Sequence, residues 1–161
     1  MKNIILVRHG KSSWDYEVSD KDRPLLQRGI KDGHLVANEF KNRMVAVDAV
    51  FSSPANRALH TCMIFMRILK YPFNKLQVVH NLYDFSGDAV VQFVEELPDH
   101  LNTVMIFGHN EAFTHVANSW GNMHIDNVPT SGLVLIEFNE DKWADVASGI
   151  TKRVIVPKQL K

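Results

Sequence analysis

Arg8-His9-Gly10 places a cation, a nucleophile and a residue without a side chain in succession, directly after the apolar run Ile4-Ile5-Leu6-Val7. An arginine fork matches two oxygens of a phosphate or carboxylate. An imidazole can attack phosphorus, and glycine lets the backbone come close to a ligand. Alone, the tripeptide also reads as a basic residue at a sheet edge beside a solvated histidine. Two further stretches share its form. Phe51-Ser52-Ser53-Pro54 closes a second apolar run and delivers Arg57 shortly afterwards, and Phe107-Gly108-His109-Asn110 closes another. In an open α/β sheet, ligands sit at the carboxyl ends of the strands. If these runs are parallel strands, Arg8, His9, Arg57 and His109 converge there. A helix starting at Ser53-Pro54 adds free N–H groups and the positive end of a dipole, both of which favour an anion. Together these parts describe a phosphate site that needs no metal and no cofactor. Taken singly, Arg57 reads as a solvated helix arginine and His109 as a satisfied loop histidine. A histidine metal site is the rival, but no His-x-x-x-His pair accompanies the candidates, and central arginines repel a cation.

The elements that must position these residues follow from hydrophobic period. Short apolar runs alternate with helical spacing, which argues for βα units and a mainly parallel sheet in an α/β fold. After Pro24, read as a helix start, Leu26, Ile30, Gly33, Ala37, Phe40 and Met44 recur at spacings of 4, 3, 4, 3 and 4, which is one helical face. Asp48 to Phe51 reads as the second strand. Ser53 is read as an N-cap with Pro54 at the first helical position. Ala55, Ala58, Leu59, Cys62, Phe65, Met66 and Leu69 form the apolar face that follows, making Cys62 a core residue. Leu76 to Val79 reads as a third strand, and Val90, Phe93, Val94 and Leu97 as a helix ended by Pro98. Thr103 to Phe107 is a fourth strand, followed by helical spacing through Phe113, Val116, Ala117 and Trp120. Leu133 to Phe138 and Trp143 to Ile150 read as a closing pair of strands. In the tail from Thr151 to Lys161, the basic residues Lys152, Arg153, Lys158 and Lys161 are expected to form a solvated surface rather than a docking patch.

The 161 residues suffice for one domain with a substantial core, expected to span 1–161. With 45% apolar and 22% charged residues the composition is that of a soluble globular protein. Lys+Arg and Asp+Glu each number 18, so no bulk charge points to nucleic acid or to an anionic membrane. Cys62 is the only cysteine, which excludes an internal disulfide. The apolar run before Arg8 is too short for a signal-peptide core or a membrane span, so a cytoplasmic location is expected.

Leu6-Val7-Arg8-His9-Gly10, Ser52-Ser53-Pro54-Ala55-Asn56-Arg57-Ala58 and Gly108-His109-Asn110 together resemble the histidine phosphatase superfamily, also called phosphoglycerate mutase-like. Lys11-Ser12-Ser13-Trp14, Asp22-Arg23-Pro24-Leu25 with Gly29, and Val128-Pro129-Thr130-Ser131-Gly132 are similar to its short SixA-like phosphohistidine phosphatase branch. The resemblance covers nearly the whole chain. It implies a three-layer α/β sandwich with helices on both faces of a mainly parallel sheet. It matches His9 to the histidine that becomes phosphorylated, and Arg8, Arg57 and His109 to the residues around the phosphoryl group. Arg23 matches an arginine near the pocket, and Gly10, Ser12 and Asn110 join the expected substrate-binding set. Leu26 departs from the pattern, in which a threonine, serine or asparagine follows Arg-Pro-Leu; Asp22 is the substitute cap. Many members carry a glutamate after the third strand, where this chain has Tyr83-Asp84, so Asp84 is the candidate proton donor, with helix capping as its other reading.

The expected chemistry is metal-free phosphoryl transfer through a phosphohistidine. Neutral His9 attacks phosphorus, while Arg8, Arg57 and, if it is protonated, His109 stabilise the oxygens. The expected partner is a histidine-phosphorylated carrier protein, with a small phosphorylated metabolite as the alternative and no role for nucleic acid or membrane. A non-catalytic phosphate- or phosphoprotein-binding module is the rival from another class, disfavoured because binding alone needs only the arginines.

Overall fold

A computed structural model describes residues 1–43 and 45–161. The first apolar run folds as β1 (Lys2–Arg8), buried on both faces through Ile4, Ile5, Leu6 and Val7. A strand of this kind belongs in the middle of a parallel sheet. β1 pairs in parallel with β4 (Thr103–Gly108) and antiparallel with β5 (Leu133–Phe138). With β2 (Ala49–Ser52), β3 (Leu76–Val78) and β6 (Ile150–Ile155) the sheet has six strands in the order β3-β2-β4-β1-β5-β6. β3, β2, β4 and β1 all run the same way.

Alternation along β1 assigns the two cores. Ile5 and Val7 face a layer with Val36, Ala37 and Phe40 of α1 (Gln27–Asn42) and Cys62, Phe65 and Met66 of α2 (Asn56–Leu69). Ile4 and Leu6 face Val90 and Val94 of α3 (Asp88–Glu95) and Phe113, Val116 and Trp120 of α4 (Ala112–Trp120). Helices thus cover both faces, giving the three-layer sandwich. Cys62 is a core residue whose thiol is pushed up by burial. Among the described residues no helix is long and apolar enough to cross a membrane.

Several boundaries differ from the sequence reading. α1 starts at Gln27, not Pro24, and its N-cap position is Leu26, with no side-chain cap. Asp22 does not replace that cap; it accepts a hydrogen bond from Ser19 within a short 3-10 turn, Asp20–Asp22. The buried face of α1 runs through Gly29, Asp32, Gly33, Val36, Ala37 and Phe40, leaving Leu26 exposed. Met44, read as the end of that face, lies outside the described residues. α2 begins at Asn56, with Ala55 rather than Ser53 at the N-cap position. The closing strand is Ile150–Ile155, and Trp143 sits fully buried in a 3-10 turn, so its aromatic burial had imitated a strand. The basic residues of the tail face outward, with Lys152, Lys158 and Lys161 exposed and Arg153 half-buried, while its other residues anchor it. Thr151 and Ile155 are buried in β6, Pro157 is buried beyond it, and Lys161 pairs with the buried Asp32 at 3.0 Å.

Candidate active site

Parallel pairing brings three strand ends together. The register Arg8↔Gly108 between β1 and β4 sets His9 beside His109, and the His9 amide donates to the Gly108 carbonyl at 3.1 Å. Ser52↔Phe107 between β2 and β4 brings Ser53 to the same edge, where its amide donates to the Phe107 carbonyl at 3.0 Å. The rings of His9 and His109 lie 5.3 Å apart, both buried.

His9 Nδ1 lies 2.7 Å from the Gly10 carbonyl oxygen. A carbonyl only accepts, so Nδ1 carries the proton and Nε2 keeps its lone pair. That is the atom able to attack. Burial first, then the charges of Arg57, Arg8 and Arg23, lower the His9 pKa to about 3, so the ring is neutral and nucleophilic at neutral pH. The loop after β1 is held by backbone. The Gly10 amide donates to Thr61 Oγ1 at 2.9 Å, and Thr61 in turn donates to the Arg57 carbonyl at 2.8 Å. A Cβ on Gly10 would lie 2.9 Å from the Gly29 carbonyl oxygen, and one on Gly29 would run into the Lys11 backbone. Both positions need glycine because α1 packs backbone to backbone on this loop. Ser12 is buried in a bridge to Leu25 that closes the loop.

Arg8 donates through Nη1 to the Val128 carbonyl at 2.9 Å, leaving its buried Nε without a partner. The 128–132 loop saddles the end of β1: the Ser131 amide donates to the carbonyls of Arg8 at 3.1 Å and His9 at 3.0 Å, with Ser131 in the left-handed region at φ 63. Arg57 is 2% exposed and donates to Asp20, from Nη1 to the carbonyl at 2.6 Å and from Nη2 to Oδ2 at 2.9 Å. Arg23 Nε reaches Asp20 Oδ1 at 3.1 Å, and the Tyr83 hydroxyl donates to Oδ2 at 2.5 Å. Burial raises the Asp20 pKa, but the hydrogen bonds from Tyr83, Arg57 and Arg23 outweigh it and hold the carboxyl at about 2. Asp20 thus orders both arginines.

The sequence reading leaves the protonation of His109 open, and its surroundings disfavour the charged form. Burial, then His9 and Arg57, lower its pKa to about 3, so it is neutral. Its Nε2 lies 2.7 Å from Ser53 Oγ, and Tyr83 and Phe85 pack against its ring at 5.4 and 5.0 Å.

Two other candidates take structural roles. Asp84 accepts from the Ser86 amide and hydroxyl on Oδ1 and from the Gly87 and Val90 amides on Oδ2, at 3.0 to 3.1 Å. Burial raises its pKa, but these bonds lower it overall, so it caps the start of α3 as an ionised group rather than storing a proton. Asn110 spends its amide on Asn127 and Val128 and its carbonyl on Thr114, tying the start of α4 to the 127–128 loop. Asp20, Ser53, Thr61, Tyr83 and Phe85 are the site residues that sequence reasoning missed. A cleft of about 610 Å³ bordered by Asp48, Tyr71, Phe93 and His100 lies at the opposite, amino end of β2, away from these groups.

Residues 4–86 match the histidine phosphatase superfamily (branch 1). The chain belongs to that superfamily, and the activity that goes with it is that of a phosphatase. Its fold is the phosphoglycerate mutase-like one shared with SixA structures. The protein histidine phosphatase SixA complexed with tungstate superposes with a TM-score of 0.84 at 22% identity, covering 99% of each chain. A SixA from Nakamurella multipartitia, described as a putative phosphohistidine phosphatase, gives 0.78 at 19% identity over 97% of this chain and 96% of that one. An uncharacterized protein of Mycobacterium tuberculosis is 27% identical over 153 residues, or 89% of this chain and 93% of that protein.

Proposed function

We propose that this chain removes the phosphoryl group from a phosphohistidine displayed on a protein, without a metal. His9 Nε2 attacks phosphorus in line, the phosphorus bond to the substrate nitrogen breaks with its electron pair going to that nitrogen, and the phosphoryl group rests on His9. Water then attacks the phosphohistidine, releasing inorganic phosphate and returning the pair to Nε2. Arg8 and Arg57 supply the positive charge for the equatorial oxygens, the task metals perform in other phosphoryl-transfer sites. Arg23 extends that charge toward the mouth.

The observation that carries the protein substrate is the mouth itself. The segment between Ser13 and Pro24 projects Trp14, Tyr16 and Val18 at 76%, 62% and 47% exposure, and Phe85, against His109, is 44% exposed. Trp14 stacks over the Arg23 guanidinium at 3.5 Å, joining this apolar rim to the arginine cluster. Exposed apolar patches of this kind mark contact with another macromolecule. Leaving-group chemistry agrees. Asp20 and Asp84 are both ionised, so neither holds a proton for a departing alkoxide. An imidazole whose far nitrogen is already protonated leaves as a neutral ring and needs no such donor.

Hydrolysis of a histidine-phosphorylated carrier protein, measured beside a panel of small phosphorylated metabolites, tests the reading. A higher kcat/KM on the carrier is expected; a metabolite preferred over it would overturn the choice of substrate. The variant His9→Ala is expected to lose turnover and the acid-labile phosphoenzyme label together. Undiminished turnover would remove His9 as nucleophile.

A further inference from the structure

We propose that the Ser53 hydroxyl fixes His109 as its Nδ1–H tautomer, so that a neutral N–H group, not an imidazolium, meets the phosphoryl oxygens. The inference rests on counting protons around one buried oxygen. Ser53 Oγ accepts the Ala55 amide at 3.2 Å and lies 2.7 Å from His109 Nε2, and both side chains are 0% exposed. The hydroxyl has one proton to place, and Nε2 is the acceptor beside it. With a proton on Nε2 instead, Ser53 Oγ would take two N–H donors and leave its own proton buried without an acceptor, the expensive arrangement for a polar group. Only an Nε2 lone pair gives the Ser53 hydroxyl proton an acceptor while its oxygen keeps the Ala55 amide.

The proton of neutral His109 is then on Nδ1, which is buried without a partner in the protein. Arg57 gives both terminal nitrogens to Asp20 and Arg8 Nη1 goes to Val128, while the buried Nε of each arginine is likewise without a partner in the protein. Among the groups facing the ring, His9 at the end of β1 and Arg57 oppose a charge on His109 most strongly, Asp20 favours one less strongly than they do, and Arg8 opposes one more weakly still. Tyr83 and Phe85 hold the ring plane, so rotating the imidazole to exchange its nitrogens meets aromatic walls. Ser53 is therefore a positioning residue. It sits where a helix N-cap was expected from sequence, and its hydroxyl serves the histidine while α2 begins at Asn56.

This inference depends on His109 facing the phosphoryl group, as the proposed function has it, but its first test needs no substrate. Nitrogen-15 NMR of the imidazoles in the intact protein at pH 7.5 reads the tautomer directly. A protonated Nδ1 and an unprotonated Nε2 at His109 are expected; a protonated Nε2, alone or with Nδ1, would overturn the proposal. The variant Ser53→Ala is expected to shift His109 toward a mixture of tautomers and to lower kcat about 10²-fold with KM little changed, the scale of one lost oxyanion donor. Ser53→Thr, which keeps the hydroxyl, is expected to restore both. Wild-type kcat in Ser53→Ala would show that the tautomer is not used. An Nδ1–H tautomer in a protein inert on every phosphate would instead leave this inference standing and remove the functional reading.

Discussion

His9 and His109 carry most of the pH behaviour at the residue scale. Both are held at about 3 against an ordinary value of 6.5, so the unfolded chain binds protons that the native one refuses. The sign follows: their contribution to stability is complete above pH 6.5 and is lost as pH falls toward 3. Asp20, at about 2 against 3.8, acts in the same direction in the separate window between those values. Thermal midpoints measured from pH 8 to 4 are expected to fall below about pH 6.5, and the double variant His9→Gln/His109→Gln is expected to flatten that fall. A midpoint independent of pH in the wild type would contradict the buried neutral pair. The ionised state of Asp20 and Asp84 has a kinetic counterpart. Without a carboxylic acid at the leaving group, alkyl phosphates should turn over at least about 10²-fold more slowly than aryl phosphates, since general acid catalysis supplies that much or more. Equal rates across a series of leaving groups would show that a proton donor is present after all.

At the scale of elements, the contact of α1 with the loop after β1 is the most demanding. Gly29→Ala would push a methyl group into the Lys11 backbone, so α1 must retreat and the loop holding His9 must move. A loss of about 1–3 kcal/mol in stability is expected, as for other overpacked sites, together with reduced turnover. Gly33 lies one turn along on the same helix, where a Cβ would meet only Ile64 at 3.5 Å, an ordinary contact. Gly33→Ala is expected to be neutral or to stabilise by up to about 1 kcal/mol, because alanine favours helix over glycine. Chemical denaturation of the two variants distinguishes a glycine needed for approach from one that is dispensable. The sequence shows both glycines on one helix without separating them, because spacing reports a face and not the distance to what covers it. Strong periodicity made β1, β4, β5 and the faces of α2 and α4 readable. Trp143 misled because burial in a 3-10 turn leaves the same apolar mark as burial in a strand. Asp84 had two readings because an acidic residue after the third strand looks the same whether it caps a helix or donates a proton. Asp20 carried no signal at all: it reaches Arg57 through an irregular segment, across 37 residues of sequence, and no period marks such a contact.

For the whole molecule, reactive edge and projecting segment divide the work. The segment from Trp14 to Val18 is tied at its base, where the Ser13 amide donates to Pro24 and the Leu26 amide to Lys11, both at 2.8 Å. Its tip is exposed, while its return delivers Asp20 to Arg57. Replacing Tyr16 and Val18 by serine is expected to lower kcat/KM on a phosphorylated carrier protein at least about tenfold, near the 1.4 kcal/mol that one modest contact provides. Hydrolysis of a small aryl phosphate should fall by a much smaller factor, and equal losses on both substrates would argue against a docking role. Arg8, His9 and His109 are set otherwise, by the ladder that aligns Arg8 with Gly108 in the buried middle of the sheet. Because that ladder is also the centre of both cores, the reactive groups have no local way to come apart. Amide exchange at Arg8 and His9, which donate to the Gly132 and Gly108 carbonyls, should therefore require the same opening as the deepest strand, while the tip near Tyr16 exchanges freely. Catalysis and cooperative folding then share one transition, and in rising denaturant activity should disappear with the fold and not before it.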